Sequence, residues 1–133
     1  MTTVLIIDDN AELRDTLVTI LEDEGYATIV ADDGKSGVRA FSKHHPDLVV
    51  TDVLMPDYDG IQTICDIRRL QADARIIAMS GGALLDNAYY LRMAQELGAM
   101  AILPKPFEVE DLVQLVASCI NAPTAAPLSA SAP

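Results

Sequence analysis

The chain has 133 residues and a formal net charge of -11, with nine Lys and Arg residues against 20 Asp and Glu residues. This length suits one domain with a single core, and the acidic balance argues against nucleic-acid binding, which requires a cationic surface. No apolar stretch approaches the ~20 residues of a membrane helix, and no basic segment precedes the first apolar run. We therefore expect a cytoplasmic protein without membrane or nucleic-acid partners.

Five apolar runs, each followed by residues with helical periodicity, predict alternating strands and helices. The predicted strands cover residues 4–7, 26–31, 48–52, 75–80 and 99–103. The apolar positions of the predicted helices fall within residues 13–21, 38–41, 61–70, 84–97 and 112–120. Asn10 stands where it can cap the first helix, and Gly25 and Gly98 stand where helices end.

This alternation predicts an α/β domain with a doubly wound, five-stranded parallel sheet and helices on both faces. We expect the folded domain to cover residues 1–121. Residues 122–133 are Ala, Pro, Ser and Thr with one Leu, which are too few apolar side chains to offset the entropy lost on ordering. The sequence therefore predicts a disordered tail over residues 122–133.

Polar residues stand where several of the predicted strands end. Asp8 and Asp9 follow the first strand, Asp52 ends the third, Ser80 ends the fourth, and Lys105 follows the fifth. The carboxyl ends of parallel strands share one edge of a sheet, where ligands bind. Three carboxylates brought together there repel one another and require a cation, and their hard oxygen ligands suit Mg²⁺. Taken singly, the paired acids are also compatible with a solvated helix start, and the serine with turn chemistry before two glycines.

In their order and spacing, these residues resemble the receiver domain of two-component response regulators, of the stand-alone, chemotaxis-regulator-like type. The resemblance covers approximately residues 3–120 and is carried by Asp8, Asp9, Asp52, Met55, Pro56, Gly60, Ser80, Lys105, Pro106 and Phe107. It implies the flavodoxin-like strand order 2-1-3-4-5. It also implies a function, in which a sensor histidine kinase or a histidine phosphotransfer protein passes a phosphoryl group to the chain in a phosphorelay.

The resemblance assigns the metal ligands. Asp9, Asp52 and the backbone carbonyl of Leu54 would bind Mg²⁺ directly, and Asp8 would act mostly through water. Because Mg²⁺ keeps several waters and also binds phosphate oxygens, such a site leaves room for a phosphoryl group. Mg²⁺ is therefore the expected cofactor.

The resemblance also assigns the chemistry. Asp52 would be the phosphoacceptor, attacking the phosphoryl group in line. Lys105, aimed inward by a cis bond to Pro106, would neutralise the phosphoryl oxygens, and Ser80 would donate a hydrogen bond to one of them. The chain would catalyse only its own phosphorylation and dephosphorylation, so we expect no enzyme activity toward other substrates.

The chain departs from the receiver pattern at one switch position. Receivers usually carry Tyr or Phe three residues before the lysine, where this chain has Ile102. Because Ile is stiff at χ1, we expect activation to rely on the loop at residues 80–82 and on the helix that follows. Leu54 and Gly82 occupy positions that adjust the access of water to the acyl phosphate in this family, so we expect them to set its lifetime.

Two surfaces are candidates for partner contacts. The predicted helix over residues 84–97 carries more apolar surface, including Tyr89 and Tyr90, than one buried face needs. This surface is either a wide core stripe or a docking face. The resemblance favours a docking face built from this helix, the fifth strand and the last helix, for a downstream protein or a second copy in a homodimer. Kinase choice is expected to depend on the first helix near Leu13, Arg14 and Leu17.

Three alternatives remain open from the sequence. A metal-dependent phosphohydrolase with an aspartyl nucleophile would need a second acid two residues after the nucleophile, where Leu54 stands. A receiver that is never phosphorylated would act only as a binding module. The chain could also be the receiver part of a larger hybrid kinase or regulator.

Overall fold

The computed structural model describes residues 1–53, 60–80, 92, 96 and 98–128. Within them, five strands alternate with helices along the chain, as the apolar periodicity predicted. The elements are β1 (Thr3–Ile7), α1 (Ala11–Asp23), β2 (Ala27–Ala31), α2 (Gly34–His44), β3 (Leu48–Asp52), α3 (Gly60–Leu70), β4 (Ile76–Ser80), β5 (Ala101–Pro104) and α4 (Val109–Asn121). Apart from residues 92 and 96, the predicted helix at 84–97 lies outside the described residues, as do the loop residues Leu54, Gly81 and Gly82.

The strands form one parallel sheet with the order β2-β1-β3-β4-β5. This confirms the doubly wound fold and the strand order that the resemblance implied. Every residue of β3, from Leu48 to Asp52, is buried, because the strand lies in the middle of the sheet and has helices on both faces. The carboxyl edge of the sheet is the edge where the strands end, and the amino edge is the one where they begin.

Each face of the sheet has its own apolar core. One core includes Phe41 of α2 with Ile64 and Ile67 of α3. The other includes Leu17 of α1 and Leu112 of α4. Leu17 is fully buried, so a kinase contact on α1 would use the exposed side chains around it and not Leu17 itself. Its spacing from the other apolar residues of α1 puts it on the core face.

Side-chain caps fix where the first two helices begin. The side-chain oxygen of Asn10 accepts a hydrogen bond from the Leu13 N–H at 3.0 Å, as predicted. A carboxylate oxygen of Asp33 accepts hydrogen bonds from the Ser36 N–H and hydroxyl, each at 2.8 Å. These hydrogen bonds hold the pKa of Asp33 below its usual value. Both caps lie beside strand ends, so they set where α1 and α2 start relative to the carboxyl edge.

The segment after α4 differs from the expected disordered tail. Ala122, Ala125 and Leu128 pack against the core between the sheet and the helices α1 and α4. The Leu128 N–H donates to the Met100 carbonyl at 2.8 Å, just before β5 begins. Over residues 122–128 the chain is therefore part of the fold, and residues 129–133 lie outside the described residues.

Hydrogen bonds also close the amino edge between β1, β3 and the end of α4. Thr3 and Asp47 are joined twice, by the Thr3 N–H to the Asp47 carboxylate and by the Asp47 N–H to the Thr3 carbonyl, each at 2.8 Å. Arg75 donates to the carbonyls of Cys119 and Ala122 at 2.6 and 2.8 Å. Because carbonyls at a helix end lack partners within the helix, this guanidinium acts as a cap for α4.

No described helix is long and apolar enough to cross a membrane.

Candidate functional site

The sheet register brings two acidic residues to the same place at the carboxyl edge. Ile7 of β1 pairs with Thr51 of β3, so Asp8 and Asp52 follow side by side. Both are buried, Asp8 with no exposed surface and Asp52 with 6%. Burial of ionised carboxylates is costly unless they are paired or bind a metal, so the fold places these charges at a cost that function must explain.

A third carboxylate completes a cluster that fits a divalent cation. One carboxylate oxygen from each of Asp8, Asp9 and Asp52 lies within 4.8 Å of the others. Asp9 is exposed, so the cluster is open to water on one side. Oxygen donors, excess negative charge and an open side match what Mg²⁺ requires. Leu54, the fourth expected ligand, lies outside the described residues.

Lys105 lies within reach of both buried acids. Its Nζ is 3.2 Å from an Asp52 carboxylate oxygen and 3.3 Å from an Asp8 carboxylate oxygen. Lys105 follows Pro104, the last residue of β5, and its bond to Pro106 is cis, as the resemblance implied. A single ammonium among three carboxylates lowers their mutual repulsion without cancelling it, so the cluster still favours a cation.

A glycine holds the other side of Asp52. The Gly60 N–H, at the start of α3, donates to the Val53 carbonyl at 3.1 Å. A Cβ at Gly60 would overlap the backbone of Asp52 and Val53. The sequence analysis named Gly60 only among the residues that carry the resemblance. In the structure, its lack of a side chain lets α3 begin directly against the end of β3.

Ser80 is the last residue of β4 and pairs in register with Pro104. Its backbone therefore reaches the same edge, although its side chain lies outside what the structure describes. Ile102, in the place of the usual aromatic residue, is half-buried and packs against the core next to α2 and α3.

The sequence analysis missed the link between Arg14 and the site. Arg14 was assigned only to partner choice, but its Nη1 donates to the Asp8 carbonyl at 2.9 Å. The sequence does contain a feature that could have indicated this bond: Arg14 is the only basic residue of α1 and lies one turn after the Asn10 cap. An arginine there reaches back toward the helix N-terminus and the acids before it.

Comparison with known proteins identifies the family. Residues 4–117 match the model of the response regulator receiver domain. The chain therefore belongs to the response regulator receiver domain family. Receiver domains generally bind Mg²⁺ at an acidic Asp cluster, and this chain has such a cluster.

Individual relatives differ in length. The chain is 31% identical to the chemotaxis protein CheY of Bacillus subtilis over 119 residues, which are 89% of this chain and 97% of that protein. It is 31% identical to sporulation initiation phosphotransferase F of the same organism over 109 residues, 82% of this chain and 86% of that protein. It is 34% identical over 122 residues, 92% of this chain, to the DNA-binding transcriptional regulator NtrC of Azospirillum brasilense, but spans only 25% of that protein.

Solved structures agree with the fold. A response regulator receiver domain protein from Clostridium thermocellum superposes with a TM-score of 0.82 at 28% identity, covering 91% of this chain and 95% of that one. Receiver domains generally interact with histidine kinases or phosphotransfer proteins and with downstream targets. The chain therefore shares both the fold and the acidic site of a signalling family.

Proposed function

We propose that this chain is a phosphoacceptor that takes a phosphoryl group from a phosphohistidine onto Asp52 and signals through protein contacts. One observation carries the proposal: a buried aspartate at a strand end lies beside two further acids and within 3.2 Å of the Lys105 ammonium. A nucleophilic carboxylate for phosphoryl transfer needs cationic partners for the incoming oxygens. The same residues would serve poorly as a core, because buried charge is costly.

Asp8, Asp9, Asp52 and the carbonyl of Leu54 would hold Mg²⁺, which when bound supplies positive charge to the phosphoryl oxygens. A carboxylate oxygen of Asp52 attacks phosphorus, the phosphorus–nitrogen bond to the donor imidazole breaks, and the electron pair leaves with the imidazole nitrogen. The product is an acyl phosphate on Asp52. Burial of Asp52 keeps most water away from the reacting carboxylate.

Lys105 would change partners when Asp52 is phosphorylated. Before transfer its ammonium is shared between Asp8 and Asp52. After transfer it would pair with a phosphoryl oxygen, which carries more negative charge than either oxygen of the modified aspartate carboxyl group. Ser80, at the end of β4, would donate its hydroxyl to another phosphoryl oxygen and so couple the modification to the loop that follows.

The protein contacts would use the β5 and α4 side of the domain together with the segment predicted as a helix at 84–97. The described part of this side contains an open groove of about 440 Å³ whose lining includes Ile102, Phe107 and Leu115. Apolar residues in a groove with polar neighbours are typical of a protein contact. We propose a downstream protein there, with self-association as the competing use.

Two further expectations belong to the proposal. The chain would catalyse only the phosphorylation and dephosphorylation of its own Asp52. The described cluster supports this, because it offers a phosphoryl acceptor and a cation site. It would work in the cytoplasm, where histidine kinases present their phosphohistidine.

Intact mass spectrometry after incubation with a small acyl phosphate and Mg²⁺ tests the function. We expect one phosphoryl addition to the parent and none to Asp52→Ala. Asp47→Ala, which removes a carboxylate at the amino edge, is the matched control and should accept the group as the parent does. Continuous release of inorganic phosphate without a detectable adduct would instead favour the phosphohydrolase alternative, and no reaction at all would favour a binding module.

A further inference from the structure

Asp8 is held by more hydrogen bonds than its role as a metal ligand explains. Its N–H donates to the Ala31 carbonyl at 3.2 Å, and its carboxylate accepts from the Asn10 N–H at 2.9 Å and from Lys105 at 3.3 Å. Its own carbonyl accepts from Arg14 at 2.9 Å. Each polar part of Asp8 therefore has a partner, and the partners come from β2, from the start of α1 and from the loop after β5.

The Asp8 carbonyl needs a donor such as the Arg14 side chain because β1 ends one residue earlier, at Ile7. The ladder pairs of β1 with β2 and β3 stop at Ile7, so the Asp8 carbonyl lies past the sheet. Asp8 is fully buried, and a buried carbonyl left without a donor costs about 1–3 kcal/mol. Arg14 supplies the donor from the first turn of α1, whose start is fixed by the Asn10 cap.

We infer that Arg14 is a positioning residue for the metal site. It does not contribute a ligand but fixes the backbone between β1 and α1, so that Asp8 and Asp9 present their carboxylates toward Asp52. This inference rests on the proposed function, since it assumes that the cluster binds Mg²⁺.

Charge and positioning predict opposite results for Arg14, which makes the inference testable. A guanidinium close to the acids repels a divalent cation, so by charge alone its removal should tighten Mg²⁺ binding. If Arg14 orders the loop, its removal should weaken binding, because outer partners that orient ligands typically change metal affinity by about tenfold or more.

The experiment is calorimetric titration of the full chain with Mg²⁺ alone. We expect Arg14→Gln and Arg14→Met to weaken binding by about tenfold, and Arg14→Lys, which keeps a donor and the charge, to recover part of the loss. Arg68→Gln is the matched control: Arg68 also donates to a backbone carbonyl, that of Ala74 at 2.7 Å, but at the amino edge. It should bind Mg²⁺ as the parent does.

The outcomes separate this inference from the proposed function. If the parent itself binds no Mg²⁺, the metal site of the proposed function fails. If the parent binds Mg²⁺ and the neutral variants bind as tightly or more tightly, only the inference is overturned. Circular dichroism identifies any variant that does not fold, and the comparison then uses the other neutral variant.

Discussion

The two edges of the sheet handle charge in opposite ways. At the carboxyl edge, Asp8, Asp9 and Asp52 converge on one another with Lys105 as the cation that contacts two of them. At the amino edge, three charged side chains bond to the backbone instead: Asp47 accepts from the Thr3 N–H, Arg68 donates to the Ala74 carbonyl, and Arg75 donates to the carbonyls of Cys119 and Ala122. The same sheet therefore has one edge built for stability and one edge built at a cost in stability.

The difference supports the proposal that the carboxyl edge carries the chemistry. Groups that repel one another persist only where a ligand or a reaction benefits from them. At the amino edge, the hydrogen bonds of Asp47 and Arg75 join β1, β3 and the end of α4. Three predictions test this contrast, from the largest expected change in stability to the smallest.

Ending the chain after Asn121 should have the largest effect. This truncation removes Ala122, whose carbonyl accepts from Arg75, and the packing of Ala125 and Leu128. We expect the free energy of unfolding to fall by about 2 kcal/mol, measured by denaturant titration. Ending the chain after Leu128 is the control and should leave it unchanged. Equal stability of both truncations would show that the segment contributes nothing to the fold.

Removal of one carboxylate should have opposite effects at the two edges. Without divalent ions, Asp52→Asn should raise the free energy of unfolding by about 1 kcal/mol, because it relieves repulsion in a buried cluster. Asp47→Ala should lower it by about 0.5–1 kcal/mol, because the Thr3 N–H loses its carboxylate partner. Thermal unfolding of both variants measures this, and a change of the same sign in both would break the contrast.

The smallest effect concerns the cap of α2 near the end of β2. Because hydrogen bonds from Ser36 hold the pKa of Asp33 below its usual value, folding favours the carboxylate. Its stabilising contribution is present above the pKa of an unfolded Asp and is lost as the pH falls through the lower, folded value. The thermal midpoint of the parent should therefore approach that of Asp33→Asn as the pH becomes acidic.

Asp23→Asn, at the exposed end of α1, controls for the loss of one negative charge. A gap between the parent and Asp33→Asn that stays constant from neutral to acidic pH would contradict the assignment of the cap.

Periodicity was sufficient for the doubly wound parallel sheet because it is consistent from strand to strand, and the resemblance supplied the strand order. The sequence also predicted the convergence of Asp8, Asp9, Asp52 and Lys105, since parallel strands must end at one edge. It did not predict the bond from Arg14 to the Asp8 carbonyl, because that bond depends on how α1 leaves the sheet. The order of residues reveals local motifs but not the distances between a helix and the backbone beside it.

The tail was mispredicted for a different physical reason. Its Ala, Pro and Ser residues have little apolar surface of their own, so composition predicts disorder. What orders residues 122–128 is the surface they meet, namely the Met100 carbonyl and the core beside α4. A segment that is stabilised by a complementary surface cannot be recognised from its own residues.

The position of Leu128 has a practical consequence. The hydrogen bond from Leu128 to Met100 places this end of the described chain beside the start of β5. At the other end, Thr2 is hydrogen-bonded to Ala27 at the start of β2. Both described ends therefore lie at the amino edge, opposite the edge that carries Asp52. A dye or a surface linkage attached at either end would leave the acidic cluster accessible. Immobilised protein could then report phosphoryl transfer and partner capture in the same measurement.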